Sequence, residues 1–84
     1  MSLIKNKHLS KGWIRNDVGF NVVYLKAFKK DVIGTIIKYG NSPHYSYMIK
    51  NKEGRIMGFG KEFTSKLAAS MCDDLFKSLN TKEF

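Results

Sequence analysis

The periodicity of the apolar residues changes once along this chain, and this change restricts the fold more than any other feature. From Gly12 to Gly60, apolar and polar residues alternate, with turn signals about every eight to twelve residues. Such alternation is typical of strands, whose successive side chains point to opposite faces. After Phe63 the apolar residues recur at helical spacing. The pattern predicts an α+β fold: an antiparallel β-meander packed by one C-terminal helix.

The meander is predicted to contain about five strands. Their expected bounds are 13–15, 20–28, 32–39, 45–50 and 55–59. Polar residues 1–10 are interpreted as a flexible arm, and residues 11–84 as a single domain, because a chain of 84 residues is too short for two.

Two hairpins have predictable registers. A three-residue turn at 29–31 places Phe28 opposite Val32 and Val23 opposite Ile37. The face that then carries Val23, Leu25, Ala27, Ile33, Thr35 and Ile37 is the expected core face. In the last hairpin, a turn with a left-handed Gly54 pairs Asn51 with Arg55, Ile49 with Met57 and Tyr47 with Phe59. A slip of one residue would reverse both faces of that hairpin.

The helix is expected over residues 64–79, with Thr64 or Ser65 as its N-cap. Its apolar stripe consists of Ala68, Met71, Cys72, Leu75, Phe76 and Leu79. The position of Cys72 on that stripe predicts a buried thiol that acts as a small hydrophobic side chain. A single cysteine also excludes an internal disulfide.

Charge is distributed unevenly along the chain. The formal net charge is +8, and all of this excess lies in residues 1–52, whereas residues 53–84 are neutral overall. Such asymmetry favours a polyanionic partner. Because 13 of the 15 basic residues are lysines, which bind phosphate as point charges, binding is expected to be weakly sequence-specific. The candidate nucleic-acid-binding residues are Lys26, Lys29, Lys30, Lys38, Lys50 and Lys52, with Tyr24 and Trp13 as stacking residues.

No enzyme active site is recognisable. His8, His44 and Cys72 lack the paired spacing of metal ligands, and no nucleophile–base pair can be assembled. The sequence therefore predicts no catalytic residue, no metal and no cofactor. It contains no apolar run long enough to span a membrane, and its composition fits a reducing, cytoplasmic compartment.

Two resemblances add to this interpretation. Gly58-x-Gly60, Ser65-Lys66 and Ala68-Ala69 resemble the C-terminal half of a double-stranded RNA-binding domain, which implies Lys66 as a phosphate contact. Extra residues between Gly60 and Ser65, and Leu67 in place of a second lysine, depart from that pattern. The overall pattern is also similar to small bacteriophage early and counter-defence proteins, including TifA-like RNA-binding toxin inhibitors. The shared elements are Trp13, Tyr45-Ser46-Tyr47-Met48-Ile49, Gly54, Phe63-Thr64-Ser65 and Ala68-Ala69. This second resemblance implies an antitoxin-like role in the host cytoplasm.

Two kinds of partner follow from these observations. The first hypothesis is a non-enzymatic protein that binds RNA or another polyanion. The alternative is a protein-interaction module or inhibitor that docks on an acidic partner, such as a host nuclease or toxin. A homodimer is also predicted, because the short strand 13–15 is expected to form an exposed sheet edge.

Overall fold

The structure, a computed structural model, describes residues 4–5 and 12–81. Its elements are β1 (Ile4–Lys5), β2 (Ile14–Arg15), β3 (Val22–Lys29), β4 (Val32–Lys38), β5 (Tyr45–Asn51), β6 (Ile56–Glu62) and α1 (Ser65–Thr81). The strands form one antiparallel sheet in chain order, and α1 packs on β4, β5 and β6. The predicted α+β meander with one C-terminal helix is confirmed. Apart from β1, the arm expected over residues 1–10 lies outside the described residues.

The described sheet has six strands because β1 pairs with β2. Ile4 lies opposite Arg15, and Lys5 lies opposite Ile14. The sheet edges are therefore β1 and β6, and β2 has a neighbour on each side. The expectation that residues 13–15 form an exposed edge is wrong.

The pairing of β3 with β4 was predicted correctly, but the face that is buried was not. Val23 lies opposite Ile37 as expected. A β-bulge after Ala27, however, places Lys29 rather than Phe28 opposite Val32. The helix covers the face that carries Tyr24 and Ile36. The prediction that the face carrying Val23 is the core face is therefore wrong. Large aromatic rings gain more from burial than the smaller residues on the other face do.

The last hairpin begins as predicted and then shifts by one residue. The backbone N–H of Asn51 donates to the carbonyl of Arg55 at 3.0 Å. A bulge at Met57 then places Gly58 opposite Ile49 and Gly60 opposite Tyr47. Tyr47 and Ile49 are buried, whereas Phe59 lies on the opposite face and is 76% exposed.

The helix begins where the sequence predicted. The Oγ1 atom of Thr64 accepts a hydrogen bond from the Leu67 backbone N–H at 3.1 Å, so Thr64 is the N-cap. Ala68, Ala69 and Cys72 form the part of the helix that is buried against the sheet, while Met71 is 41% exposed. Met71 was therefore placed on the buried stripe incorrectly, and Ala69 takes its role. No helix among the described residues is long and apolar enough to cross a membrane.

The Cys72 thiol is expected to resist alkylation in the native protein. Its side chain is fully buried, Sγ donates to the Met48 carbonyl at 3.9 Å, and burial raises its pKa to about 12. At pH 8 the thiol is protonated and inaccessible, so iodoacetamide should label it only as the protein unfolds. Mass spectrometry would measure this, with Val18→Cys as an exposed control that is labelled at once. Rapid native labelling of Cys72 would contradict the prediction.

Candidate nucleic-acid interface

Two turns lie side by side at one end of the sheet. β3 is joined to β4 through Lys30 and Asp31, and β5 is joined to β6 through residues 52–55. The register places Val32 of β4 opposite Asn51 of β5, which brings both turns to the same end. Residues 29–31 and 50–55 are called the hairpin end below.

The hairpin end is predominantly positive. Its exposed basic side chains are Lys29, Lys30, Lys50, Lys52 and Arg55. Two exposed acidic side chains, Asp31 and Glu53, accompany them. Four of the six lysines predicted to contact nucleic acid are therefore brought together, on residues well separated along the chain. A cluster of one sign of charge raises the local concentration of oppositely charged partners.

The side chain of Asn51 fixes the backbone of the turn between β5 and β6. The Oδ1 atom of Asn51 accepts hydrogen bonds from the backbone N–H groups of Glu53 and Arg55, both at 3.0 Å. Gly54 donates its N–H to the Asn51 carbonyl and takes a φ of 83°, which glycine adopts without strain. Lys52 and Arg55 thus project from a backbone that is fixed locally.

The helix supports the neighbouring turn. The Phe76 ring stacks on the Phe28 ring, with centroids 4.5 Å apart and planes 11° apart. The Lys29 Nζ atom lies 5.7 Å from the centroid of Phe76, within the range of a cation–π contact. The C-terminal half of α1 therefore anchors the β3 end of the hairpin region.

Lys26 does not belong to this cluster. Its Nζ atom contacts Asp73 Oδ1 of the helix at 2.9 Å, and both side chains are less than one-fifth exposed. Nζ also lies 5.0 Å from the centroid of Phe28. The expectation that Lys26 offers its charge to a phosphate is wrong, because this lysine lies on the face that α1 covers and joins that helix to the sheet.

Lys38 lies at the opposite end of the sheet. It is half-buried and pairs with Val22 at the start of β3. The register therefore separates it from the turns by the length of β4. Lys66, which the resemblance to a double-stranded RNA-binding domain singled out, is exposed in the first turn of α1, also away from the hairpin end.

The two predicted stacking residues are buried. Trp13 is 2% exposed and Tyr24 is 3% exposed. Trp13 packs edge-on against Phe28, with centroids 6.1 Å apart, and Tyr24 belongs to the cluster beneath the helix. Because a base stacks only on an accessible ring face, the expectation that these rings are available is wrong.

The uncovered face of the sheet was not identified from the sequence. It is called the open face below, and its side chains point away from α1. Its described residues are Ile14, Val23, Leu25, Ala27, Ile33, Thr35, Ile37, Ser46, Met48, Lys50, Ile56, Phe59 and Lys61. Two shallow hollows of about 350 and 310 Å³ lie over it, the second lined by Met48, Ile56 and Phe59.

One further basic residue is neutralised locally. Arg15 donates to both carboxylate oxygens of Asp17 at 2.9–3.0 Å. This hydrogen bonding from Arg15, aided by the backbone N–H of Val23, lowers the pKa of Asp17, so that its carboxylate stays charged. Arg15 is therefore a weaker candidate for phosphate binding than Arg55, which sequence reasoning overlooked although it follows the turn directly.

Among the described residues, no group of three or more His, Cys, Asp or Glu side chains is placed to hold a metal ion. Comparisons of the chain with protein-family models, curated proteins and solved structures give no match.

Proposed function

We propose that this chain is a non-enzymatic domain that binds the phosphates of RNA or other single strands through the hairpin end, with weak sequence specificity. The observation that carries the proposal is the meeting of five exposed basic side chains, Lys29, Lys30, Lys50, Lys52 and Arg55, on two adjacent turns. Four of these are lysines, which attract phosphate without reading the base.

The position of the helix favours binding to single strands over binding in the major groove of DNA. A reader of DNA sequence usually inserts a helix or a β-ribbon into that groove. Here α1 buries Ala68, Ala69 and Cys72 against the sheet, and its Asp73 pairs with Lys26. The helix is thus needed for the core, and we expect the turns to make the contacts with phosphates.

Binding should weaken with salt in proportion to the number of phosphates neutralised. For five contacts on a single strand, a log–log plot of affinity against salt has an expected slope of about −3.5. Fluorescence anisotropy with a labelled single-stranded RNA, repeated at several salt concentrations, measures this slope. The absence of binding at low salt would contradict the proposal, and recovery of one acidic protein after nuclease treatment would favour the alternative partner.

The double variant Lys30→Glu/Lys52→Glu tests the location. Removal of two phosphate contacts should reduce the magnitude of the slope by about 1.4 and weaken binding at least ~10-fold. Lys38→Glu/Lys66→Glu is the matched control, because it changes the net charge equally at the opposite end of the sheet. If both double variants weaken binding to the same extent, overall charge rather than the hairpin end is responsible.

A further inference from the structure

The open face is apolar and is not covered by α1, although Val23 on it is only 9% exposed. Ile33 on β4 is 40% exposed, Ile56 is 50% exposed and Phe59 is 76% exposed. The described residues of this face include two lysines, Lys50 and Lys61, and no acidic side chain. An exposed apolar patch of several hundred Å² is often a functional interaction site.

We propose that the open face is the interface of a symmetric homodimer, in which the sheets of two copies pack face to face. A second copy has the same strand spacing and the same twist, so its side chains interdigitate as in an aligned β-sandwich. The dimer would enclose the apolar side chains of β3, β4 and β5 from both copies. This interface differs from pairing along a sheet edge.

The area of the face is enough for a small, weak contact. The four long strands β3 to β6 are spaced about 4.8 Å apart and seven residues extend about 23 Å, which together with the two-residue β2 gives roughly 450 Å² for each copy. The pair would then bury roughly 900 Å², slightly below the ~1,000 Å² that a stable specific interface needs. The interface is thus small, and a dissociation constant in the micromolar range is expected.

The distribution of charge favours a second copy over an acidic protein. Lys50 and Lys61 lie on β5 and β6, at one side of the face. A two-fold axis parallel to β4 places β5 and β6 of one copy over β3 and β2 of the other. The lysines of the two copies are thereby kept apart. An acidic protein would instead be drawn to the hairpin end, where the exposed positive charge is concentrated.

Sedimentation equilibrium of the full chain, treated with nuclease and held at high salt, tests this proposal. The wild type is expected to form dimers at micromolar to hundred-micromolar concentrations. Ile33→Glu and Phe59→Glu each introduce two buried carboxylates into the dimer and should raise its dissociation constant at least ~10-fold. Circular dichroism would establish that each variant is folded, and the high exposure of Phe59 makes its variant the safer test of the two.

Leu67→Glu is the matched control, because Leu67 is 50% exposed on the outer side of the helix. Its dissociation constant should equal that of the wild type. A wild-type chain that stays monomeric up to hundred-micromolar concentrations overturns the proposal. So does a dimer that survives both open-face substitutions, or one that Leu67→Glu weakens equally. Lys50 belongs to both proposed surfaces, but RNA is absent from this experiment, so failure of the dimer and failure of nucleic-acid binding are distinguishable.

Discussion

Replacement of Ile49 by alanine is expected to lower the free energy of unfolding by about 2–5 kcal/mol. Ile49 is fully buried on β5 beneath the helix. Its cross-strand neighbours are Gly34 on β4 and Gly58 on β6, neither of which has a side chain that could move into the vacated space. Because the cavity would stay largely unfilled, the loss should lie in the upper half of that range.

Ile56→Ala is the control for this prediction. Ile56 is 50% exposed on the open face, so the same deletion should cost less than about 1.5 kcal/mol. Urea unfolding at low protein concentration measures both losses. The two variants are compared with the same slope of the free energy of unfolding against urea concentration. For 84 residues the total free energy of unfolding is only about 4–13 kcal/mol. The loss in Ile49→Ala is then a large fraction of the total, and it should be easy to distinguish from the smaller loss in Ile56→Ala. Equal losses would contradict the placement of Ile49 in the core.

The helix and the strand pairings could be predicted because local signals specify them. The hydroxyl of Thr64 marks the start of α1, and the apolar spacing marks its buried face. The turns at 29–31 and 51–54 place the paired strands close to their observed registers. In the first hairpin a bulge after Ala27 changes only the pair next to the turn, whereas in the last hairpin a bulge at Met57 shifts the pairing beyond it by one residue. Bulges of this kind depend on packing and leave little trace in the apolar pattern.

The buried face could not be predicted from alternation because β3 and β4 are apolar on both sides. Val23 and Leu25 lie on one face, and Tyr24 and Ile36 on the other. The glycines of β6 do indicate which face is buried. Gly58 and Gly60 alternate along β6, and a Cβ at these positions would meet Leu75 and Tyr47, respectively. Glycine on one face of a strand indicates that bulky side chains approach that face closely.

Part of the candidate interface could be predicted from the positions of the turns. Lysines near predicted turns are expected to be exposed, which holds for Lys29, Lys30 and Lys52. Their assembly into one cluster depends on how β4 pairs with β5, and the loop between these strands carries no register signal. Lys26 was misplaced together with its strand face, since the inversion that buries Tyr24 also brings Lys26 to Asp73.

The second large effect is expected from Gly34→Val on the central strand β4. A Cβ atom at this position would lie 2.5 Å from Cε2 of Phe28 and 3.1 Å from Cη2 of Trp13. Phe28 cannot simply retreat, because its ring stacks on Phe76 of the helix. Valine favours strands over glycine, but overpacking of this kind typically costs about 1–3 kcal/mol, which should outweigh that preference.

Trp13 provides a direct optical test of this prediction. It is the single tryptophan of the chain and is 2% exposed, so displacement of the ring toward water should shift its fluorescence emission to longer wavelength. Gly34→Val should show this shift together with a lower urea midpoint. Thr35→Val is the control, because the adjacent side chain lies on the open face, away from Trp13 and Phe28. Native emission and stability in Gly34→Val would show that the rings do not pack against Gly34, and the assignment of the helix-covered face would then be wrong.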